Sequence, residues 1–381
     1  MQQGSSTPEA SAPTWNEGVL ALSAADASAL KARVERALAD IQAGGLNAVA
    51  DRLLPIEHPA LPALSEGQER LAVVFESPDE LPGRLERALK ALEKGKGWRV
   101  LSNQGVLYSG EFTARGKTAM LFPGQGSQYL GMLADLAERY PVVRDTFAEA
   151  DRVMAPVLGK NLSDLIHPDL TKVDQTDAFI ALSQTEITQP AVLTVDVALW
   201  RLLGQFGIEP DVVAGHSLGE YGACVAAGVM TFEEALRTVA TRGTEMASAT
   251  PMNGDCGLMA GVPIGATEVE AEIERLQPGY VVCANKNSPN QTIIAGLTEP
   301  VKRMAEHFEG QGMQVMMLPV SHAFHSPLMD PALDRFAGVV AGLDLQPPQR
   351  GLVSAVTGAP VGAEITDPAY WVRHARDAVR F

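Results

Sequence analysis

Apolar residues in the first hundred positions follow two different spacings. Leu30, Val34, Leu38 and Ile41 recur every three or four residues, as one helix face does, and Gly44-Gly45 ends the run. Ser23, followed three residues later by Asp26, predicts the capped start of that helix. The unbroken run Leu71-Ala72-Val73-Val74-Phe75 predicts a strand. A second helix opens at Ser77-Pro78-Asp79-Glu80, carries Leu81, Leu85, Leu89 and Leu92 on one face, and stops at Gly95 and Gly97. Val106-Leu107-Tyr108 predicts a further short strand. Residues 15–113 therefore read as a small α+β unit with no catalytic constellation. Ahead of it, residues 1–14 are rich in Ser, Pro, Ala and Thr and read as a disordered lead.

The character changes at Lys117. Ala119-Met120-Leu121-Phe122 reads as a buried strand entering the Gly-rich loop Pro123-Gly124-Gln125-Gly126-Ser127-Gln128. A helical stretch follows, with the apolar runs Pro190-Ala191-Val192-Leu193 and Trp200-Arg201-Leu202-Leu203. Then Val212-Val213-Ala214 leads into Gly215-His216-Ser217-Leu218-Gly219. Thr231, with Glu234 three residues on, caps a helix bearing Leu236, Val239 and Arg242. From 257 to 318 the order is β-α-β-β-α-β, a ferredoxin-like pattern inserted in a longer strand–helix alternation. The predicted fold class is α/β. An α/β-hydrolase-like core with a parallel sheet (114–256 and 319–381) carries the inserted ferredoxin-like subdomain (257–318), and the small α+β unit precedes it.

Composition narrows the function classes. With 381 residues, 46% of them apolar, the chain can bury one large core and smaller ones beside it. A formal charge of −16 argues against nucleic acid, whose phosphates need a Lys/Arg surplus. No apolar run reaches the ~18 residues of a membrane span, and the N-terminus lacks a basic, then apolar, leader. Cys224, Cys256 and Cys283 are far apart, with no metal-binding spacing, which fits a reducing, cytoplasmic setting without a disulfide scaffold or metal.

The strongest chemical signal is Gly215-x-Ser217-x-Gly219 between a strand and a helix. Such a turn exposes a nucleophile at a helix N-terminus, although a capping serine on a structural turn has the same spacing. A serine nucleophile needs a base. His58, His167 and His307 lie in polar or loop contexts, His374 lies in a charged stretch, and His216 should point away from its neighbour. That leaves His322 and His325 in a loop after a strand, and spacing does not separate the two. The Gly-rich loop is a poor dinucleotide fingerprint, because Tyr129 stands where a third glycine belongs.

Three segments occur together and in order: Phe122-Pro-Gly-Gln-Gly-Ser-Gln128, Gly215-His-Ser-Leu-Gly-Glu220 and His322-Ala-Phe-His-Ser-Pro-Leu328. From about residue 117 to the end, the chain resembles the malonyl-CoA:acyl carrier protein transacylases and the acyltransferase domains of polyketide and polyunsaturated fatty acid synthases. Thr188-Gln189-Pro190-Ala191, Arg242-Gly243, Asn287-Ser288-Pro289 and the closing Tyr370-Trp371 and Val379-Arg380-Phe381 extend the match. Residues 15–113 resemble, more weakly, the linker between ketosynthase and acyltransferase, which implies a ketosynthase neighbour and a piece of a larger synthase.

The resemblance implies a malonyl group carried from malonyl-CoA to an acyl carrier protein, in polyketide or fatty acid synthesis. No bound cofactor is expected: CoA arrives as the thioester, and phosphopantetheine on the partner. Ser217 is the implied nucleophile and His325 its base. The backbone amides of Gln125 and Leu218 are the implied oxyanion hole, each worth ~3 kcal/mol in comparable sites. Arg242 is the implied clamp for the malonyl carboxylate, although a surface arginine near a helix end is the plain alternative. The family orients its histidine through a backbone carbonyl, expected here from the loop Ser354-Ala355-Val356-Thr357-Gly358. Phe324 implies malonyl rather than methylmalonyl units, as does Leu218, with Gln189 and Asn287 expected to line the same cleft. Lys286 is a candidate for CoA phosphates. Met313, Met316 and Met317 read as core filling. A hydrolase using the same serine and a non-catalytic docking module are the competing readings.

Overall fold

The computed structural model describes residues 16–55, 68–110, 116–249, 254–320 and 322–381. The expected lead at 1–14 and His58 lie outside the described residues. Two compact units divide the chain between Gly116 and Lys117, with Gln205–Gly207 grouped with the first.

In the first unit, strands β1 (Gly18–Ala24), β2 (Leu53–Leu54), β3 (Glu69–Phe75) and β4 (Val106–Ser109) form an antiparallel sheet in the order β2-β1-β3-β4. The helices Ala27–Gly44 and Glu80–Lys94 bury Leu30, Val34, Leu81 and Leu85 in one cluster with Leu20, Leu71 and Phe75. Ser23 is not the helix cap: it belongs to β1 and pairs with Arg70. Asp26 caps instead, its carboxylate accepting the Ala29 N–H at 2.8 Å. The strand lacks a clear apolar–polar alternation, because Val19 and Ala21 stand between its buried positions Gly18, Leu20, Leu22 and Ala24.

The second unit holds β5 (Ala119–Phe122), β6 (Val212–Gly215), β7 (Leu258–Val262), β8 (Val281–Ser288), β9 (Gln291–Gly296), β10 (Met316–Met317), β11 (Gly351–Val353) and β12 (Val379–Arg380). β11, β6 and β5 lie side by side and parallel. The other five strands form a second sheet, ordered β10-β7-β9-β8-β12. Its first four are antiparallel to their neighbours, and the helices Ala266–Leu276 and Thr298–Gly310 bury Val269, Val301, Met304 and Phe308 against them. Residues 319–381 do not all join the first sheet: β12 pairs parallel with Asn285 and Lys286 of β8. A two-residue strand carries no periodicity to read. Met316 and Met317 are likewise not core filling. They form the edge strand β10 and are 56% and 44% exposed.

Between β6 and the wholly buried helix Gly219–Ala227 the backbone approaches β5 too closely for a side chain. A β-carbon on Gly219 would lie 2.1 Å from the Phe122 carbonyl oxygen, and one on Gly215 would lie 2.1 Å from the Glu220 nitrogen. These glycines let the turn pack onto the strand that feeds the Gly-rich loop. No helix among the described residues is long and apolar enough to cross a membrane.

Gly219→Ala must push the turn off β5. We expect a loss of about 1–3 kcal/mol or more in denaturant unfolding, and a stability unchanged from the parent would contradict this packing.

Candidate active site

Ser217 sits at the tip of the β6–helix turn with φ +50°, a left-handed conformation unusual for a residue with a side chain. The turn is pinned on both sides: His216 N–H donates to the Phe122 carbonyl at 3.0 Å, and Glu220 N–H to the Ser217 carbonyl at 3.0 Å. His325 lies 108 residues on, in the buried segment 322–326, and it too has a positive φ, +54°. Such residues cost roughly 1–3 kcal/mol each and persist where packing overrules them. Here packing brings His325 Nε2 to 2.6 Å from Ser217 Oγ.

The geometry separates the two candidate histidines. His322 Nε2 faces the Ala249 carbonyl at 3.1 Å, away from the serine. His325 Nδ1 faces the Asp377 carbonyl at 3.0 Å. A carbonyl only accepts, so Nδ1 carries the proton and Nε2 presents its lone pair to the serine hydroxyl. The orienting carbonyl is therefore not supplied by residues 354–358, as the sequence reading had it. That loop binds Glu220 instead, through the Ala355 N–H at 2.7 Å. Burial, then repulsion from Arg242 and His374, holds the His325 imidazole well below the ordinary 6.5.

Arg242 extends from the helix Phe232–Ser248, which opens on the Thr231–Glu234 capping box. It is 3% exposed. One terminal nitrogen donates to Gln189 Oε1 at 2.8 Å, the other reaches Ser217 Oγ at 3.5 Å, and Nε has no partner. Among the described residues no carboxylate lies within ion-pair distance of it. Burying a guanidinium without a counter-ion costs several kcal/mol. Gln189 is fully buried and does not line the cleft, contrary to expectation. It lies behind Arg242 and holds its guanidinium.

These groups open onto a cavity of about 200 Å³, lined also by Gln125, His216, Asn287 and Phe324. His216 does not engage the serine hydroxyl. Its Nε2 bonds to Asn287 Oδ1 at 2.8 Å, which joins the nucleophile turn to β8. Met259, Ile293, Leu318 and Val320 complete an apolar wall. Sequence reading missed them because an apolar strand residue looks the same facing a core or a cleft. The Gly-rich loop lies on the turn: a β-carbon on Gly124 would stand 2.4 Å from the His216 carbonyl oxygen and 3.6 Å from the Leu218 nitrogen. Leu218 is itself buried at the head of the helix. Lys286 forms a short ion pair with Glu270. A hydroxyl beside a neutral imidazole, with a helix N-terminus and an unpaired cation, can attack an acyl carbon whose substituent carries a negative charge.

Residues 119–381 match the family model described as "Acyl transferase domain". The mycoketide-CoA synthase of Mycobacterium tuberculosis is 41% identical over 277 residues, which are 73% of this chain and 6% of that synthase. The chain thus spans a small part of the curated relative it matches. The acyltransferase domain from the second module of the salinomycin polyketide synthase is 35% identical, with TM-score 0.69, over 94% of this chain and 77% of that one. A malonyl-transacylase solved in complex with its type II polyketide acyl-carrier protein is 37% identical, with TM-score 0.61, over 70% of this chain and 82% of that one.

Because the folded chain leaves His325 neutral where the unfolded chain would bind a proton, its contribution to stability falls as pH drops below the ordinary 6.5. The base form persists across neutral pH. Followed by ¹⁵N-histidine NMR, the His325 imidazole is therefore expected to titrate below 6.5; titration above that value would contradict the buried, neutral imidazole.

Proposed function

This chain belongs to the acyl transferase domain family, and from that premise we propose that it moves malonyl from malonyl-CoA to the phosphopantetheine thiol of an acyl carrier protein through a malonyl-Ser217 intermediate. The observation that carries the malonyl assignment is the buried Arg242 guanidinium, which lines the cavity with no carboxylate partner among the described residues and reaches Ser217 Oγ. A planar guanidinium holds a carboxylate through two parallel hydrogen bonds. An acyl-CoA without the distal carboxylate leaves that cation buried and unpaired.

In the first half-reaction His325 Nε2 takes the Ser217 proton as Oγ bonds to the thioester carbonyl carbon. The Gln125 and Leu218 amides receive the negative charge on the tetrahedral oxygen. The C–S bond then breaks, and the proton on His325 leaves with CoA as the thiol. In the second half-reaction the imidazole takes the pantetheine thiol proton, the sulfur attacks the ester, and the proton returns to Ser217. The chain's likeness to a malonyl-transacylase solved with its carrier protein supports the acceptor. Its likeness to domains of large synthases supports a ketosynthase neighbour. We read residues 257–318 as the ferredoxin-like subdomain that contributes one wall of the cleft to a hydrolase-like core.

Phe324 lines the cavity at 9% exposed. Its ring takes up room beside the α-carbon, which favours malonyl over methylmalonyl. One methyl is worth about 1–3 kcal/mol, so the expectation is preference, not exclusion.

After malonyl-CoA addition, peptide mass spectrometry should locate a malonyl adduct on Ser217 that survives until carrier protein is added; rapid release of free malonate in its absence would instead make the enzyme a hydrolase. Arg242→Ala should reduce malonyl loading by about 10²-fold or more, from hydrogen bonds to a charge worth roughly 1.5–3 kcal/mol each. Acetyl loading should be spared, and unchanged malonyl kinetics would remove the clamp. In a competition assay Phe324→Ala should raise the methylmalonyl-to-malonyl loading ratio by roughly tenfold. A ratio that stays put would take Phe324 out of substrate choice.

A further inference from the structure

A fully buried carboxylate close in sequence to the nucleophile has no part in the chemistry above. Glu220 lies three residues after Ser217, on the first turn of the helix Gly219–Ala227, and is fully buried. Its two oxygens do different things. Oε1 accepts the Tyr370 hydroxyl in a short bond, and Oε2 accepts the Ala355 N–H at 2.7 Å. His374 Nε2 stands 3.5 Å from Oε2, and neither nitrogen of that buried ring has a hydrogen-bond partner among the described residues. Tyr370 also shares a hydrogen bond with Ser354 Oγ at 2.6 Å.

All of these contacts bear on one short stretch. Tyr370 and His374 belong to the helix Pro368–Arg376, whose C-cap is Asp377. Beyond Asp377, the Arg380 N–H donates to the Ala355 carbonyl at 2.7 Å. Ala355 is thus gripped from both sides, by Glu220 through its N–H and by Arg380 through its carbonyl. The Asp377 carbonyl that meets His325 Nδ1 lies between two anchors, one resting on Glu220 directly and one through Ala355. A carboxylate is costly to bury, and this one is placed where it can hold the far end of the base's hydrogen bond.

We propose that Glu220 is a positioning residue for His325. By clamping residues 370–380 to the nucleophile helix, it holds the Asp377 carbonyl on Nδ1 and thereby fixes the tautomer that leaves Nε2 free to take the Ser217 proton. The inference rests on the Ser217–His325 reading above and adds the element that keeps the pair in register. Glu220 touches neither substrate nor reacting atoms. Its loss should leave cleft and guanidinium intact and act on the chemical step alone.

The test compares the parent with Glu220→Gln and Tyr370→Phe. An amide can keep only one of the two accepting positions, and phenylalanine removes the donor on Oε1 alone. Both should lower kcat for malonyl transfer by about 10- to 100-fold, as losses of orienting partners do, with KM for malonyl-CoA within twofold. ¹⁵N-histidine NMR should show His325 protonated at Nδ1 in the parent and divided between its nitrogens in the variants. If Glu220→Gln does not fold, Tyr370→Phe carries the test. Variants that fold, keep the Nδ1–H tautomer and turn over within twofold of the parent would overturn the proposal, as would a change confined to KM. In that case a parent adduct on Ser217 that is lost in His325→Ala leaves the serine–histidine reading standing. A parent that forms no such adduct sinks that reading itself.

Discussion

A buried guanidinium with no carboxylate partner among the described residues is the constraint around which the site is arranged. Arg242 is buried with a hydrogen-bonding amide behind it and a serine hydroxyl before it, and with no carboxylate in ion-pair reach among the described residues. A buried cation without a counter-ion is costly, and on the reading proposed above the acyl carboxylate offsets that cost. It also acts on the neighbouring imidazole, because a fixed positive charge in a low dielectric disfavours a second one. On the reading proposed above, a single cation thereby favours an anionic acyl group and helps keep the His325 imidazole free to accept a proton.

Holding that arrangement together takes backbone that neither residue would choose alone. Ser217 and His325 both sit at positive φ, and each is locked by contacts of its surroundings. The serine side depends on glycines that let β6, the turn and β5 touch. The histidine side depends on the C-terminal segment, which comes back across both sheets: Asp377 meets the base, and β12 closes the edge of the second sheet. The net charge of −16 is no obstacle to an anionic acyl group. What matters is the local field in the cleft, and there the nearest fixed charge is positive.

Local chemistry was legible in the sequence, and long-range geometry was not. The GxSxG turn, the capping box before Arg242 and the β-α-β-β-α-β order are short patterns with direct physical meaning, and the elements lie where those patterns put them. Family resemblance chose His325 over His322, and the coordinates give the reason in their different carbonyl partners. Main-chain partners were the blind spot. Nothing in the side chains of residues 354–358 or 377 says which carbonyl will face Nδ1, and the first guess was wrong. Gln189 and the two exposed methionines depart from expectation for the same reason: side-chain direction depends on packing between segments far apart in the chain.

The central claim is that the malonyl carboxylate binds Arg242 while its acyl carbon is held on Ser217. A crystal structure of the chain trapped as its malonyl-enzyme reads this directly. The account predicts an ester on Ser217 Oγ, with the distal carboxylate paired to both terminal nitrogens of Arg242 and His325 Nδ1 still on the Asp377 carbonyl. A malonyl group whose carboxylate turns out to solvent, leaving Arg242 unpaired, would contradict it.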